Sequence, residues 1–117
     1  MNNITDRLKT GESEQIEFKP SLSQQDNIMA TISAFSNTNG GVLIIEVSDR
    51  GEPLGMDIGK KTIENLANQI KQNTDTAIYP SIRIEEIQDK HVVVIEVNES
   101  AQKPALAFGK TYMRVGR

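Results

Sequence analysis

Residues 35–51, Phe-Ser-Asn-Thr-Asn-Gly-Gly-Val-Leu-Ile-Ile-Glu-Val-Ser-Asp-Arg-Gly, limit the possible folds more than any other stretch. They read as a helix end, a tight double-glycine turn, a buried strand and a polar loop opening on an acid. Asn and Gly tolerate the left-handed backbone that stops a helix, so Asn39-Gly40-Gly41 predicts a change from helix to strand. Residues 42–47 are apolar on both faces except for Glu46, which predicts a central strand. An acid inside such a strand needs a partner, water or a chemical role.

The periodicity on either side supplies the remaining elements. Ile16 and Phe18 alternate with Gln15, Glu17 and Lys19, so residues 14–19 predict a half-buried strand ended by Pro20. Ile28, Ile32 and Phe35 share one helical stripe within 24–38. Residues 51–55, Gly-Glu-Pro-Leu-Gly, are turn material. Ile63, Leu66, Ala67 and Ile70 mark a second amphipathic helix over 62–73. Ser81–Ile87 and 91–97 predict two strands joined by a hairpin turn at Gln88-Asp89-Lys90. Residues 4–9 predict a short helix, 98–110 a polar loop containing Pro104, and 111–115 a last short strand.

This order predicts an α/β (α+β sandwich) fold: a βαβαββ-type mixed sheet with two helices on one face and a short terminal strand. The pleat would turn Ile16, Phe18, Leu43, Ile45, Val47, Val93, Ile95 and Val97 toward the helices. Gln15, Glu17, Lys19, Val42, Ile44, Glu46, Val92, Val94 and Glu96 would face away. Aliphatic area of that kind calls for a cover. The expected cover is a homodimer partner, a neighbouring domain, or the chain's own 98–110 loop or terminal strand.

The 117 residues suit one domain, 1–117. Residues 112–117 stop on strand-like sequence, so the chain is expected to be the N-terminal part of a longer protein. It has no Cys, hence no disulfide framework and no thiolate metal site. No apolar run is long enough to span a membrane, and the N-terminus lacks a signal-peptide pattern. A cytoplasmic location without membrane contact is therefore expected. Net charge is -3 and the sequence pI is about 5.1, which argues against strong nonspecific nucleic-acid binding. A nucleic-acid contact would need a local basic patch, a metal or a larger assembly.

Three sets of residues are candidates for chemistry. Glu12, Glu14, Glu17 and Asp49 are acids around the first two strands. Asp49 follows the end of the second, where ligands bind in open α/β sheets. Such carboxylates could hold a hard divalent cation, which could activate water for phosphoryl transfer. They could equally be the chance harvest of 16 acids in an acidic chain. Lys19, Lys103, Lys110, Arg114 and Arg117 could contact phosphates or form an ordinary solvated face. Residues 55–62, Gly-Met-Asp-Ile-Gly-Lys-Lys-Thr, superficially suggest a P-loop. Three residues separate the glycines instead of four, and Lys61 intervenes before Thr62, so ATP is not expected as a ligand. His91, the one histidine, has no nucleophile or metal-ligand company at a recognisable spacing.

The ordered motifs resemble the Schlafen-type AlbA-like domain. That family typically shows Glu-Ser-x-x-x-Glu-Phe-Lys, then a helix running into Ala-Phe-x-Asn-Thr-x-Gly-Gly. An apolar strand ending Gly-Val-x-Asp follows, then Gly-x-x-x-Gly, a Pro, and Tyr-x-Arg-x-Gly. Here the matching residues run from Glu12 to Lys19, from Ala34 to Gly41, from Glu46 to Asp49 and from Gly51 to Gly55. Pro104 and Tyr112 to Gly116 complete the set. One departure is Glu46, which stands where the family usually has glycine.

The resemblance implies an α/β sandwich of the βαβαββ type and a nucleic-acid-binding domain. In prokaryotes it commonly precedes other regions in proteins described as transcriptional regulators or helicase-like ATPases. The family was once labelled a divergent ATPase domain, yet this chain lacks the P-loop. In animal Schlafen proteins the related domain is an endoribonuclease acting on structured RNA such as tRNA. Its acid triad corresponds by motif to Glu12, Glu17 and Asp49, which would take magnesium or manganese. Those enzymes pair two related lobes into a clamp, so a single lobe would need to dimerise to build a similar groove.

Three readings follow. One is a nucleic-acid-binding module, DNA-directed, in a larger regulator or helicase-related protein, with Lys19, Lys103, Arg114 and Arg117 at the phosphates. Another is a metal-dependent endoribonuclease with Glu12, Glu17 and Asp49 as catalytic and metal-binding residues. The third is a dimerisation or scaffold domain built on Val42, Ile44, Val92 and Val94.

Overall fold

The computed structural model describes residues 4–55, 60–74, 80–99, 106–107 and 110–111. The elements run α1 (Ile4–Thr10), β1 (Ile16–Lys19), α2 (Gln25–Ser36), β2 (Gly41–Ile45), α3 (Lys60–Asn73), β3 (Ser81–Ile87), β4 (Lys90–Val97), β5 (Leu106–Ala107) and β6 (Lys110–Thr111). Four strands form one sheet in the order β1-β2-β4-β3, and β5 and β6 form a separate antiparallel pair. β1 runs parallel to β2, while β4 is antiparallel to both β2 and β3. The sheet is mixed, as the sequence predicts. β4 reaches its place between β2 and β3 through a hairpin in which only Gln88 and Asp89 turn. Both have positive φ, 53 and 63, the backbone that matches the twist of the flanking strands.

α2 and α3 pack on one face of the sheet. Ile28, Ile32 and Phe35 of α2 and Leu66 and Ile70 of α3 close over Leu43, Ile45, Val93 and Ile95. The helix-to-strand change is built as the Asn-Gly-Gly signal predicts. Gly40, at φ 75, donates its N–H to the Phe35 carbonyl at 2.8 Å. Thr38 Oγ1 donates to the Ala34 carbonyl at 2.9 Å, so the last turn of α2 has few orphan carbonyls. Gly41 begins β2 directly against the Phe35 ring, where a Cβ would lie 2.4 Å from a ring carbon.

The second face is not open. α1 lies on it, and Ile4 and Leu8 join Phe18, Val42, Ile44, Val47, Ile87, Val92 and Val94 in a second core. Val42 is 7% exposed and Ile44, Val92 and Val94 are fully buried. The expected exposed aliphatic surface is therefore corrected. Among the described residues the cover is the short N-terminal helix; most of the expected 98–110 loop and the terminal strand lie outside the described residues. Burying such side chains contributes about 1.5–3 kcal/mol each, which outweighs the poor intrinsic stability of a seven-residue helix.

Two face assignments change with it. Ile16 pairs with Val42 and Phe18 with Ile44, so both lie on the α1 side, and Glu17 and Lys19 turn toward the α2/α3 side. Alternation within β1 separates two sets of residues, but only the register against β2 says which set meets which face. Val47 also changes sides. Glu46 has φ 70, which breaks the alternation and drops Val47 into the second core. β2 accordingly ends at Ile45.

Candidate functional site

Glu12 precedes β1, and one of its carboxylate oxygens (Oε2) accepts the Phe18 N–H at 3.0 Å. The carbonyls of Gln15 and Lys19 accept N–H groups from Val42 and Glu46. By parallel alternation the Phe18 N–H then points away from β2, to the free edge of the sheet. Ser13 and Ile16 exchange backbone hydrogen bonds on that same edge, at 2.9 and 3.3 Å. Glu12 and the turn after it thus blunt an edge strand that would otherwise offer unpaired donors.

Glu17 and Lys19 are two residues apart on one face of β1. Lys19 Nζ lies 3.3 Å from Glu17 Oε2, and both side chains are largely covered, at 17% exposure for Glu17 and 16% for Lys19. The candidate catalytic acid and the candidate phosphate-contacting lysine are therefore an ion pair with each other.

Asp49 is exposed at the tip of a small loop past β2. Val47 bridges to Pro53, the Ser48 N–H donates to the Glu52 carbonyl, and the Gly51 N–H to the Ser48 carbonyl. Ser48 Oγ accepts the N–H groups of Arg50 and Glu52, at 3.3 and 3.2 Å. The loop rests on α1, since a Cβ on Gly51 would meet the Leu8 carbonyl at 2.5 Å. Asp49 lies past the carboxyl end of β2 as expected. Glu12 and Glu17 have separate local duties, at the sheet edge and on the α2/α3 side of β1. Among the described residues, no group of three or more His, Cys, Asp or Glu side chains is placed to hold a metal ion.

Glu46 is the acid that the strand pattern singles out. Its N–H and that of Val47 both donate to the Lys19 carbonyl, at 2.8 and 3.2 Å, and its own carbonyl accepts the Leu54 N–H at 2.8 Å. Its side chain turns to the start of α2, where Oε2 lies 3.4 Å from the Leu22 nitrogen. Burial pushes the carboxyl above its ordinary value, and the Leu22 N–H partly opposes that. Glu46 thus has a partner, though a weak one.

Lys103, Arg114 and Arg117 lie outside the described residues, as do Pro104 and Tyr112. Lys110 is described only as part of the β6 backbone. Of residues 55–62, the described part includes the start of α3 at Lys60, two residues earlier than the periodicity indicates. His91 sits on the sheet rim with Nε2 3.2 Å from Glu86 Oε2, and both side chains are exposed.

Residues 12–117 match the family described as Schlafen, AlbA_2. The chain belongs to the Schlafen AlbA_2 family. The N-terminal domain of a Nitrosomonas europaea protein, described as a putative ATP-dependent DNA helicase RecG-related protein, superposes with a TM-score of 0.73 at 28% identity. That match covers 100% of this chain and 91% of the domain. The DIP2311 protein from Corynebacterium diphtheriae gives a TM-score of 0.70 at 21% identity over 89% of this chain, and shares the fold. This chain spans only 22% of that protein. No curated protein matches.

The Schlafen AlbA_2 pattern can now be read physically. Its Glu-Ser-x-x-x-Glu-Phe-Lys segment builds the sheet edge, supplying Glu12 as the cap, Phe18 as a core residue and the Glu17–Lys19 pair. Its Asn-Thr-x-Gly-Gly segment is the α2-to-β2 turn. The position where the family usually has glycine carries a left-handed backbone, which Glu46 adopts at φ 70. Side-chain patterning misses one further feature, a groove of about 370 Å³ between the start of α2 and α3. Its lining is uncharged, so it leaves no motif.

Proposed function

We propose that this Schlafen AlbA_2 domain binds nucleic acid, DNA in the first place, as the recognition module of a larger regulator or helicase-related protein. One observation carries the reading. The chain matches, over its full length, a domain that stands at the N-terminus of a protein described as DNA-helicase-related. The geometry of the acids is compatible with it. Glu12 caps the Phe18 N–H and Glu17 pairs with Lys19, which are structural roles that a binding module would retain.

Phosphate contacts fall to Lys103, Arg114 and Arg117. Lys19 joins them only if the nucleic acid displaces Glu17. With net charge -3, the affinity of the isolated chain is expected near the weak end of nonspecific binding, about 10⁻⁴ M at physiological salt. The test is to incubate labelled duplex DNA and labelled tRNA with the protein and manganese, beside Glu17→Gln. Salt-sensitive DNA retention by both proteins, with tRNA intact, is the expected result. Cleavage of tRNA that vanishes in Glu17→Gln would replace this reading with a metal-dependent endoribonuclease using Glu12, Glu17 and Asp49.

A further inference from the structure

The groove between α2 and α3 is lined by five carboxamides, those of Gln25, Asn65, Asn68, Gln69 and Gln72, together with the Thr62 hydroxyl. Leu22 and Leu66 supply its apolar surface, and Leu66 is 5% exposed. Thr62, Asn65, Gln69 and Gln72 recur at intervals of three and four residues, so they form one stripe along α3. Among the described residues no charged side chain lines the groove, although a quarter of the chain is charged. Its volume of about 370 Å³ is near the lower end of small-molecule sites, which span roughly 300–1,000 Å³.

That lining selects a class of ligand. A phosphate would find no cation here, and a metal ion would find no carboxylate. A carboxamide offers one donor and one acceptor side by side, the pattern that pairs with the edge of a base, adenine above all. The aliphatic side chains offer a flat ring an apolar surface. One amide is already oriented. Gln69 Oε1 accepts from Asn73 Nδ2 at 3.1 Å, so Gln69 presents its NH₂ as a donor and the two-point contact falls to Asn65. The groove starts where the chain leaves β1 and enters α2, since Leu22 follows β1 and Gln25 is the first residue of α2. Leu22 is also the residue whose N–H faces Glu46.

We infer that the groove between α2 and α3 is a site for an unpaired nucleobase, adenine foremost, read on its edge by the carboxamides of Asn65, Gln69 and their neighbours. The inference rests on the nucleic-acid reading above and adds the base-reading element to it. An unpaired base can be splayed from its strand and hydrogen-bonded along its free edges. The site therefore serves a single-stranded segment, while the backbone cations serve the phosphates of any strand.

The test uses the whole chain and its Asn65→Ala/Gln69→Ala variant. Both positions are on a helix surface, where Ala is well tolerated, and the backbone amide spectrum of the variant checks that it folds. Adenosine, which has no phosphate, is titrated while the side-chain NH₂ signals are followed by NMR. Binding of oligo-dA and of duplex DNA is measured in parallel. The expected result is saturable movement of the Asn65 and Gln69 NH₂ signals with adenosine. The variant should lose roughly tenfold in oligo-dA affinity, the order of one bidentate base contact, with duplex binding unchanged. If no NH₂ signal moves and the variant binds oligo-dA as the parent does, the base site is overturned while duplex binding still upholds the proposed function. If neither protein binds any of the three probes, both proposals fall.

Discussion

Replacing Gly40 by Ala should strongly destabilise the fold. Gly40 has φ 75, and its N–H closes the end of α2 on the Phe35 carbonyl. A Cβ there would stand 2.6 Å from the Val97 carbonyl oxygen and 3.1 Å from the Glu99 nitrogen. Left-handed backbone costs an L-residue about 1–2 kcal/mol, of which the stiffer unfolded chain returns about 0.4–1. The collision is with main-chain atoms, so no rotamer relieves it. Prising the helix end from β4 adds roughly 1–3 kcal/mol, as overpacking does elsewhere. The total is about 1–5 kcal/mol. Gly11→Ala is the control, because Gly11 has φ 87 but an added methyl there would meet no atom within 4 Å. It should lose only the backbone part, about 1 kcal/mol. Urea unfolding followed by circular dichroism measures both, and a single domain of this size is expected to unfold in two states. Equal losses in the two variants would refute the claim that close contact with β4 fixes this turn.

Other predictions follow from the same geometry. Ile44→Ala should cost about 2–5 kcal/mol in urea unfolding, because Ile44 is fully buried beneath α1; a loss under about 1 kcal/mol would mean that this face is open after all. Glu12→Ala removes the acceptor of the Phe18 N–H and should cost about 1 kcal/mol, with Glu12→Gln costing less; a pure metal ligand would show no such loss. Glu46 is raised by burial, so its folded form holds its proton at a pH where the unfolded chain has released it. The stability linked to this group is full below the unfolded value of 4.5 and is lost as pH rises through the folded one. Glu46→Gln should therefore flatten the fall in melting temperature just above pH 4.5, and an unchanged profile would show that burial does not act on this group.

The strands and the two long helices are legible because their apolar periodicity is strong. Ser81–Ile87 has the same bounds in the sequence pattern and in the structure, and α2 lies within the span its stripe predicts. The Asn-Gly-Gly turn is legible because glycine at positive φ is a steric requirement. What fails is pairing. Nothing within residues 16–19 says that Phe18 opposes Ile44 and not Leu43, and that choice decides the face of Glu17 and Lys19. The pleat misplaces Val47 because a glutamate rarely takes φ 70, so the bulge leaves no local signal. The cover over the second face escapes the sequence because α1 is seven residues long and offers only Ile4 and Leu8 as apolar anchors. The family resemblance locates the acids, but their duties at the sheet edge emerge only from the hydrogen bonds. The carboxamide groove is invisible because its residues are the ordinary polar surface of α3 until α2 is packed beside them.

The most direct test of nucleic-acid binding is the affinity of the chain for a duplex DNA across a salt series, read by fluorescence anisotropy. If Lys103, Arg114 and Arg117 make the three proposed phosphate contacts, log K falls against log salt with a slope of roughly -3. Affinity that does not change with salt, or no binding at the lowest salt, would contradict the account.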